Sequence, residues 1–578
     1  MNKRWTIKEK MNAELVDALS KSINVNRILS ELLIQRNITN FDDPKAFFRP
    51  SLANLYDPFL MQDMDIAIDR LESAMRNGER ILIYGDYDVD GTTSVALVFS
   101  FLSRYYSNLD FYIPDRYLEG YGISTKGVEY AASSGARLVI SLDCGIKAVN
   151  RIKDAKELGV DFIVCDHHTP GEELPVAVAC LDPKRTDCNY PDKNLSGCGV
   201  GFKFLQGFCQ RRKIPEEILF SYLDLVAVSI ASDIVPISGE NRILAHFGLK
   251  KLNENPGMGL RSIIRIANME NREFLISDIV FKIGPRINAA GRIESGRDAV
   301  ELLISKDEKL ASSLGQNIDQ FNETRKNLDR STTQEALEMI DSNSQLQAQK
   351  STVLFKADWH KGVIGIVASR LIEKYYRPTI ILTQGMGMAT VSGRSVIGFD
   401  IYKAIESCSD LLVNFGGHMY AAGLTMKSEN IPLFSKRFEE YVQANITDDQ
   451  LIPHIEIDAE ILLRDITPKF FDILKQFTPF GPENMKPTFI TRSVRDYGTS
   501  KLVGKDRDHL RLEVIEDESG SIIQGIGFNM GHHFKTVKSG KAFDVCYTIE
   551  ENVFNNKTTI QIMVKDIRLS EEDEYGGF

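Results

Sequence analysis

An α/β protein built in several parts is what this chain of 578 residues predicts. Its parts are a doubly wound parallel-sheet domain, a long connecting helix, a smaller mixed α/β domain and a C-terminal β-barrel. Three observations carry that reading. Short apolar runs, ILIY at 81–84, LVISL at 138–142, FIVC at 162–165 and VAVACL at 176–181, alternate with helical segments, the signature of a parallel sheet. Between about 298 and 345 the chain is charged and helical, with Leu310, Leu314, Ile318, Phe321 and Leu328 on one face. Beyond about 450 the period becomes that of strands, in HLRLEVIE at 509–516, SIIQGIGF at 521–528 and TTIQIMV at 558–564, the last after a turn near Asn555-Asn556.

The elements follow in order. Residues 1–60 form a small N-terminal adaptor, helical with two Pro-containing turns. Residues 61–297 are the parallel-sheet domain, 298–349 the connecting helix, 350–445 the second α/β domain, 446–570 the barrel and 571–578 an acidic tail, EEDEYGGF from 571 on. Composition excludes other classes. Hydrophobic residues at 43% and charged residues at 26% are ordinary for a globular protein. The formal charge of −11 confines any nucleic-acid surface to a local patch. No apolar run approaches the roughly 18 residues of a membrane helix, and MNKRWTIKEK has no apolar core of a secretory signal. Eight cysteines form no CxxC pair, and Cys144, Cys165, Cys180 and Cys546 lie in apolar runs. They read as buried reduced thiols of a cytoplasmic protein.

The chemistry concentrates at strand ends. Asp86, Asp88 and Asp90 lie in GDYDVDG at 85–91, directly after ILIY and before a helical run. Carboxylates so close repel one another, and a cation relieves them. A calcium loop does not fit, because its twelfth position is Leu97 and not Glu. An Asp-decorated helix start is the plainer alternative. The arrangement recurs, however. LVISL runs into Asp143, FIVC into Asp166, His167 and His168, and the run LDLVAVSIAS ends at Asp233. Parallel strands place their C-terminal ends side by side, so Asp86, Asp88, Asp143, His167 and Asp233 are expected to converge. Carboxylates mixed with imidazole suit two Mn²⁺ or Mg²⁺ ions better than zinc. Two such ions suit attack of water on a phosphodiester.

GDYDVDG at 85–91, SLDCG at 141–145, DHH at 166–168 and ASDIVPISGENR at 231–242 resemble the four motifs of the DHH phosphoesterases. LDPKR at 181–185, GCGVGFK at 197–203, FKIGPRINAAGRI at 281–293, WHKGVIGIVASRL at 359–371, SGRS at 392–395, FGGHMYAAG at 415–423 and PFGPENMKP at 479–487 extend the likeness to the single-strand-specific exonucleases of that family. Tyr84 stands where many relatives have a histidine. The resemblance implies a DHH domain, a connecting helix, a DHHA1 domain and an OB-type barrel. It implies a 5′→3′ exonuclease that releases 5′-mononucleotides from single-stranded DNA in recombination and repair. Asp86, Asp88, Asp143, His167 and Asp233 match its metal ligands. His168 matches a residue beside the scissile phosphate, and Asp143 and Asp90 complete the catalytic set.

Ser392, Gly393 and Arg394 set a hydroxyl and a guanidinium beside a glycine, a combination that suits phosphate. The resemblance associates them with the 5′-terminal phosphate, together with Arg292 or, alternatively, Arg286. Gly416, Gly417 and His418 read either as a tight turn packed on a helix or as backbone facing nucleic acid. Lys505 and Arg507, with Lys501, His509 and Arg511, read as a strand-tracking groove or as a solvated barrel face. Two other readings are weighed. A DHH hydrolase of short oligonucleotides, cyclic dinucleotides or pyrophosphate usually lacks the barrel and the long helix. A non-catalytic relative would have lost the carboxylates. The expected partners are single-stranded DNA, a single-strand-binding protein and a helicase, with no membrane and a monomeric chain.

Overall fold

The computed structural model describes residues 3–40, 42–270, 272–385, 387–517, 519–554 and 557–570. The expected turn at Asn555-Asn556 and the acidic tail lie outside them. The chain divides into two compact units, Leu52–Ile452 and Met1–Ser51 with Pro453–Phe578.

In the first unit, β1 (Arg80–Gly85), β2 (Leu109–Tyr112), β3 (Ala136–Leu142), β4 (Asp161–Cys165) and β5 (Ala179–Leu181) make one sheet in the order 2-1-3-4-5, parallel throughout. Continuous apolar strands such as Ile81–Tyr84 suit a sheet buried on both faces. Strand order reverses between β1 and β3, which opens a crevice at their C-terminal ends. The apolar run at 176–181 yields strand only at Ala179–Leu181, because Pro175 precedes it and Val176 is 48% exposed. Strand β2 carries no alternation that announces it; Asp110 within it pairs with Arg80 at 2.7 Å.

Helices α1 (Val89–Leu102), α2 (Gly197–Arg212) and α3 (Leu223–Asp233) are buried nearly all round and carry the motif residues into the crevice. Residues 52–60, expected to belong to the adaptor, are pinned here. The buried Lys203 ammonium donates to the Tyr56 carbonyl at 2.6 Å and to Glu240 Oε1 at 3.0 Å, while Glu240 Oε2 accepts from Tyr190 at 2.5 Å.

After α4 (Gly284–Ile293), the expected single connecting helix is three: Gly296–Ile304, α5 (Glu308–Asp341) and Ser344–Ala348. Asp307 caps α5, its carboxylate accepting from the Leu310 amide at 2.8 Å. With 34 residues, α5 is about 50 Å long. Its buried face takes in most of the expected stripe: Ile318 is buried, and Leu314, Phe321 and Leu328 are half-buried against the cores, while Leu310 is 52% exposed. Ala311, Gly315, Asn322, Asp329, Thr332, Ala336 and Ile340 are buried as well. The neighbouring helix comes close there: a Cβ on Gly315 would lie 2.4 Å from Ser262 Oγ.

The mixed sheet consists of β6 (Thr352–Phe355), β7 (Thr379–Gly385), β8 (Met388–Arg394), β9 (Leu412–His418) and β10 (Ala421–Met426), ordered 9-10-8-7-6, with α6 (Ile364–Tyr375) crossing from β6 to β7. Buried Asp329 of α5 holds Arg370 of α6 through both carboxylate oxygens, at 2.7 and 2.8 Å.

In the second unit, Phe489–Asp496, His509–Glu516, Ile522–Gly527, Phe543–Phe554 and Lys557–Leu569 close a five-stranded barrel. The third and fifth strands pair in parallel, the OB arrangement. Residues 1–51 do not stand alone. Arg4–Ile7 pairs with His454–Ile457, and Val16, Leu19, Leu29 and Leu32 share a core with Phe470, Phe477 and Phe489. Partners hundreds of residues apart leave no mark on local periodicity. All eight cysteines are free and buried. Among the described residues no helix is long and apolar enough to cross a membrane.

Lys203→Met should cost about 3–5 kcal/mol, because it leaves the Glu240 carboxylate buried without its cation. The midpoint of urea unfolding, monitored on the whole chain, reads this; an unchanged midpoint would show the pair to be dispensable.

Candidate active site at the switch point of the parallel sheet

Asp86 follows β1 directly, and Asp88 caps α1, its Oδ1 accepting from the Gly91 amide at 3.0 Å. Gly91 has to be glycine, since a Cβ there would lie 2.4 Å from the Asp86 carbonyl oxygen. Asp143 follows β3 with φ of 58°, a left-handed conformation that an aspartate adopts only at a strain. A Cβ on Gly197 would lie 2.6 Å from the Asp143 Cβ, so α2 must begin on glycine. His167 and His168 follow β4, and Asp233 ends α3.

His167 is the hub. Its Nδ1 is 3.0 Å from the Leu195 carbonyl, which can only accept, so Nδ1 carries the hydrogen and Nε2 presents a lone pair. That Nε2 lies 3.2 Å from Asp143 Oδ1, 3.6 Å from Asp233 Oδ2 and 3.8 Å from Asp90 Oδ2. It is buried and has no hydrogen-bond partner among the described residues, and neither has Asp86 Oδ2. A lone pair among carboxylate oxygens is repulsive as it stands and becomes favourable around a cation. Asp143, His167 and His168, and again Asp90, His167 and Asp233, are grouped closely enough to share one. The donor set of carboxylates and one neutral imidazole fits hard divalent ions.

The acids agree with that. Burial, then the charge of Asp88, holds Asp86 well above the usual carboxylate range. Burial and Asp90 raise Asp88, and burial with Asp90, Asp88 and Asp233 raises Asp143. Asp233 is pushed up to about 8 by burial, Asp90 and Asp88. Burial lowers His167, which keeps the imidazole neutral. For His168 burial opposes the charge, but the Asp166 hydrogen bond and charge outweigh it and raise the pKa.

Asp90 has a different environment from its neighbours. Its oxygens accept from the Gly197 amide at 2.7 Å, the Cys198 amide at 2.8 Å and Ser229 Oγ at 2.7 Å. It thereby ties α1 to the start of α2 and to α3. Two contributors, Asp166 of the DHH motif and Tyr121, were given no role by the sequence. Asp166 accepts from the His167 amide at 2.7 Å, the Ile146 amide at 2.9 Å and His168 Nδ1 at 2.7 Å, and so orients both histidines. Tyr121 OH lies 3.0 Å from His168 Nε2 and donates to the Asp143 carbonyl at 3.2 Å. Tyr84 supplies no ligand. Its hydroxyl donates to the Gly122 carbonyl at 2.9 Å and accepts from the Ser124 amide at 3.2 Å. It braces the loop whose Gly122 amide donates to Asp86 Oδ1 at 3.1 Å.

The same unit holds a cluster of opposite sign. Arg394 Nη1 donates to Ser392 Oγ at 3.2 Å and to the Gly393 carbonyl at 2.8 Å. Arg292 Nη1 donates to the Gly362 carbonyl at 2.9 Å. Burial, then Arg116, Arg325 and Arg394, brings Arg292 down to about 9; burial and Arg116 lower Arg394. Neither has a carboxylate partner among the described residues. Arg286 does, pairing with Asp319 at 2.9 Å. Arg116, stacked over the Tyr87 ring at 4.8 Å, is a member that no motif marked.

Gly416, Gly417 and His418 run into the two-residue turn Met419-Tyr420, whose Met419 carbonyl accepts from the Ile401 amide at the start of the helix Ile401–Glu406 at 3.0 Å. They end β9, the exposed edge strand, opposite Gly423, Ala422 and Ala421 of β10, whose other side pairs with Ser392, Gly393 and Arg394. In the barrel unit, Lys505 and Arg507 lie on an exposed loop. Lys501 pairs with Arg511 on the outer side of the same ladder, and Leu510 is buried.

The model of the DHH family N-terminal domain matches residues 80–230, that of the DHHA1 domain 348–444 and that of the RecJ OB domain 457–566. The chain is 36% identical over 570 residues to the single-stranded-DNA-specific exonuclease RecJ of Bacillus subtilis, covering 98% of this chain and 71% of that one. The chain belongs to the RecJ family. The RecJ of Escherichia coli is 32% identical over 530 residues, 88% of this chain and 90% of that one. The crystal structure of RecJ from Thermus thermophilus in complex with Mn²⁺ superposes with a TM-score of 0.81 at 26% identity, covering 98% of this chain and 80% of that one. Its complex with Mg²⁺ gives 0.77 at 25% identity, covering 98% and 79%.

Two outcomes are expected. Asp143→Ala, which removes the acid lying among four others, should lower turnover about 1000-fold or more while single-strand binding persists. Steady-state rates with filter binding test it, and turnover above a tenth of wild type would refute the assignment. The raised carboxylates hold protons that an arriving cation displaces, so Mn²⁺ affinity should rise between about pH 6.5 and 8.5. Calorimetry in buffers of different ionisation enthalpy should show proton release; an affinity independent of pH would mean that the acids are already ionised.

Proposed function

We propose that this chain is a single-stranded-DNA-specific exonuclease that works 5′→3′ and releases 5′-mononucleotides, in recombination and repair. The observation that carries hydrolysis is the His167 lone pair aimed among three carboxylates at the switch point. The substrate comes from the RecJ relatives, and the polarity is supported by the arginine cluster that stands without counter-ions among the described residues of the same unit.

Asp86, Asp88, Asp143, His167 and Asp233 hold two divalent cations, Mn²⁺ or Mg²⁺. Bound there, such ions polarise the phosphodiester and lower the pKa of the attacking water. Asp90 holds the start of α2 against the cluster. His168, whose pKa is raised by Asp166 against the effect of burial, turns its Nε2 hydrogen from Tyr121 to a phosphate oxygen and stabilises charge as it develops. Ser392, Arg394, Arg292 and Arg116 grip the 5′-terminal phosphate, and Arg286, already paired with Asp319, is left to structure. Gly416, Gly417 and His418 offer an open backbone edge next to that grip. Lys505 and Arg507 give the barrel a sequence-independent hold on the strand. The proposal extends to a cytoplasmic monomer that receives its strand from a helicase and a single-strand-binding protein.

The test digests 5′- and 3′-labelled single strands, with duplex as control, in Mn²⁺, Mg²⁺ and chelator. Label should leave first from the 5′ end, only from single strands and only with metal. Release from the 3′ end would overturn the polarity. Arg394→Ala should lower kcat/KM on 5′-phosphorylated strands by about 30-fold or more, the cost of a lost desolvated charge pair, and spare 5′-hydroxyl strands. Equal losses on both would make Arg394 a general contact.

A further inference from the structure

Helix α3 ends in a conformation that its capping residue resists. Ile234 closes it with φ of 60° and ψ of 33°, and Pro236, two residues on, bars any further turn. Among the described residues other than glycine that have a left-handed φ, Ile234 alone is β-branched. A branched Cβ crowds the backbone in that region, which makes isoleucine a strained choice. Glycine or asparagine would turn the chain in the same way without that cost.

Packing gives nothing back. Ile234 is 64% exposed, although Val235 and Ile237 of the same segment are buried in the core of the sheet domain. The folded chain therefore bears both the strain and an apolar side chain left in water. Position supplies a reason. Ile234 directly follows Asp233, whose Oδ2 lies 3.6 Å from His167 Nε2, and consecutive Cα atoms are about 3.8 Å apart. A phosphodiester held at that cluster carries a nucleoside on each side, and one of them comes within reach of the Ile234 side chain. A second exposed side chain marks the same strand ends: Tyr121, whose hydroxyl lies 3.0 Å from His168 Nε2.

We propose that Ile234 is a substrate-contacting residue: its side chain packs against the sugar and base of a nucleotide that flanks the phosphodiester being cut, and the strained cap is kept for that contact. This rests on the reading of the strand ends as a site that hydrolyses single-stranded DNA. The acids and their cations engage phosphate oxygens only, and Ile234 engages the apolar part of the nucleotide that they leave in water. Every nucleotide offers the C–H face of a deoxyribose and the face of a base, so the contact adds grip without reading sequence. It is made alike before and during the reaction, and its loss therefore falls on KM.

Two variants separate the contact from the strain. Ile234→Asn suits the left-handed cap and removes the apolar side chain; Ile234→Leu keeps the same carbons without the branch at Cβ. Thermal melting, Mn²⁺ calorimetry and steady-state rates on an unstructured single-stranded oligodeoxynucleotide are measured on the whole chain. Ile234→Asn should melt at or above the wild type, bind Mn²⁺ as the wild type does, and lose roughly tenfold or more in kcat/KM, through KM, the loss expected when one such side chain is no longer buried. Ile234→Leu should stay near the wild type. An unchanged kcat/KM in Ile234→Asn would show that the side chain does not touch the strand. A weakened Mn²⁺ isotherm would make Ile234 a support for Asp233 instead, and a lower melting point would make it a packing residue; either result overturns the proposal. Equal losses in Ile234→Leu and Ile234→Asn would also overturn it, because an apolar contact tolerates leucine. If the wild type itself cuts no single strand in Mn²⁺, the proposed function fails and the inference fails with it.

Discussion

Mutual repulsion of carboxylates in one buried crevice is the constraint on which the rest of this structure depends. Seven acidic side chains of the first sheet domain, Asp86, Asp88, Asp90, Asp143, Asp166, Asp182 and Asp233, gather near its strand ends. Even Asp182, outside the ligand set, is pushed up to about 7 by burial. The fold satisfies some of them completely. Asp166 and Asp90 each take donors from several segments, and Asp90 thereby holds the start of α2 against the middle of α3. The remainder keep lone pairs turned inward. The tight glycine contacts at Gly91 and Gly197 follow, because backbone must crowd in for the acids to meet.

A second consequence is polarity in the electrostatic sense. The formal charge is −11, yet the unit with the acids also keeps arginines that have no acidic partner among the described residues. Whole-chain charge therefore says little about this site; what matters is that each cluster lacks its counter-charge. On the proposed function, a phosphate chain would supply the anion one cluster lacks, and metal ions the cation the other lacks. The long helix α5 contributes the rigid frame, since one part of it packs on the first sheet domain and another holds α6 of the second through Asp329 and Arg370.

What was legible in the sequence was what is local. ILIY, LVISL and FIVC announce strands, and acids just beyond strands announce a strand-end site. What was not legible depends on distant partners. Arg286 and Arg292 look alike in GPRINAAGR until Asp319 is seen to occupy one of them. Asp166 reads as part of a motif, but its work on His167 and His168 depends on geometry around the turn. Arg116 and Tyr121 lie in loops without periodicity. The apolar stripe of α5 holds except at Leu310, and it did not announce the small residues beside it, which close packing at Gly315 requires. Residues 1–51 looked separate because their partners lie at the other end of the chain.

That pairing of distant ends has a bearing on how the chain is made. Lys8 and Asp458, ion-paired at 2.8 Å, are 450 residues apart. A ribosome adding about 5–20 residues per second needs roughly 20–90 s to cross that interval. During that time the helices of residues 13–34 have left the ribosome with apolar faces and no core to bury them in. Residues 1–51 are thus made well before they can fold, and the sheet unit that follows them can be complete while they still wait. Their apolar faces are therefore exposed to aggregation for that whole interval.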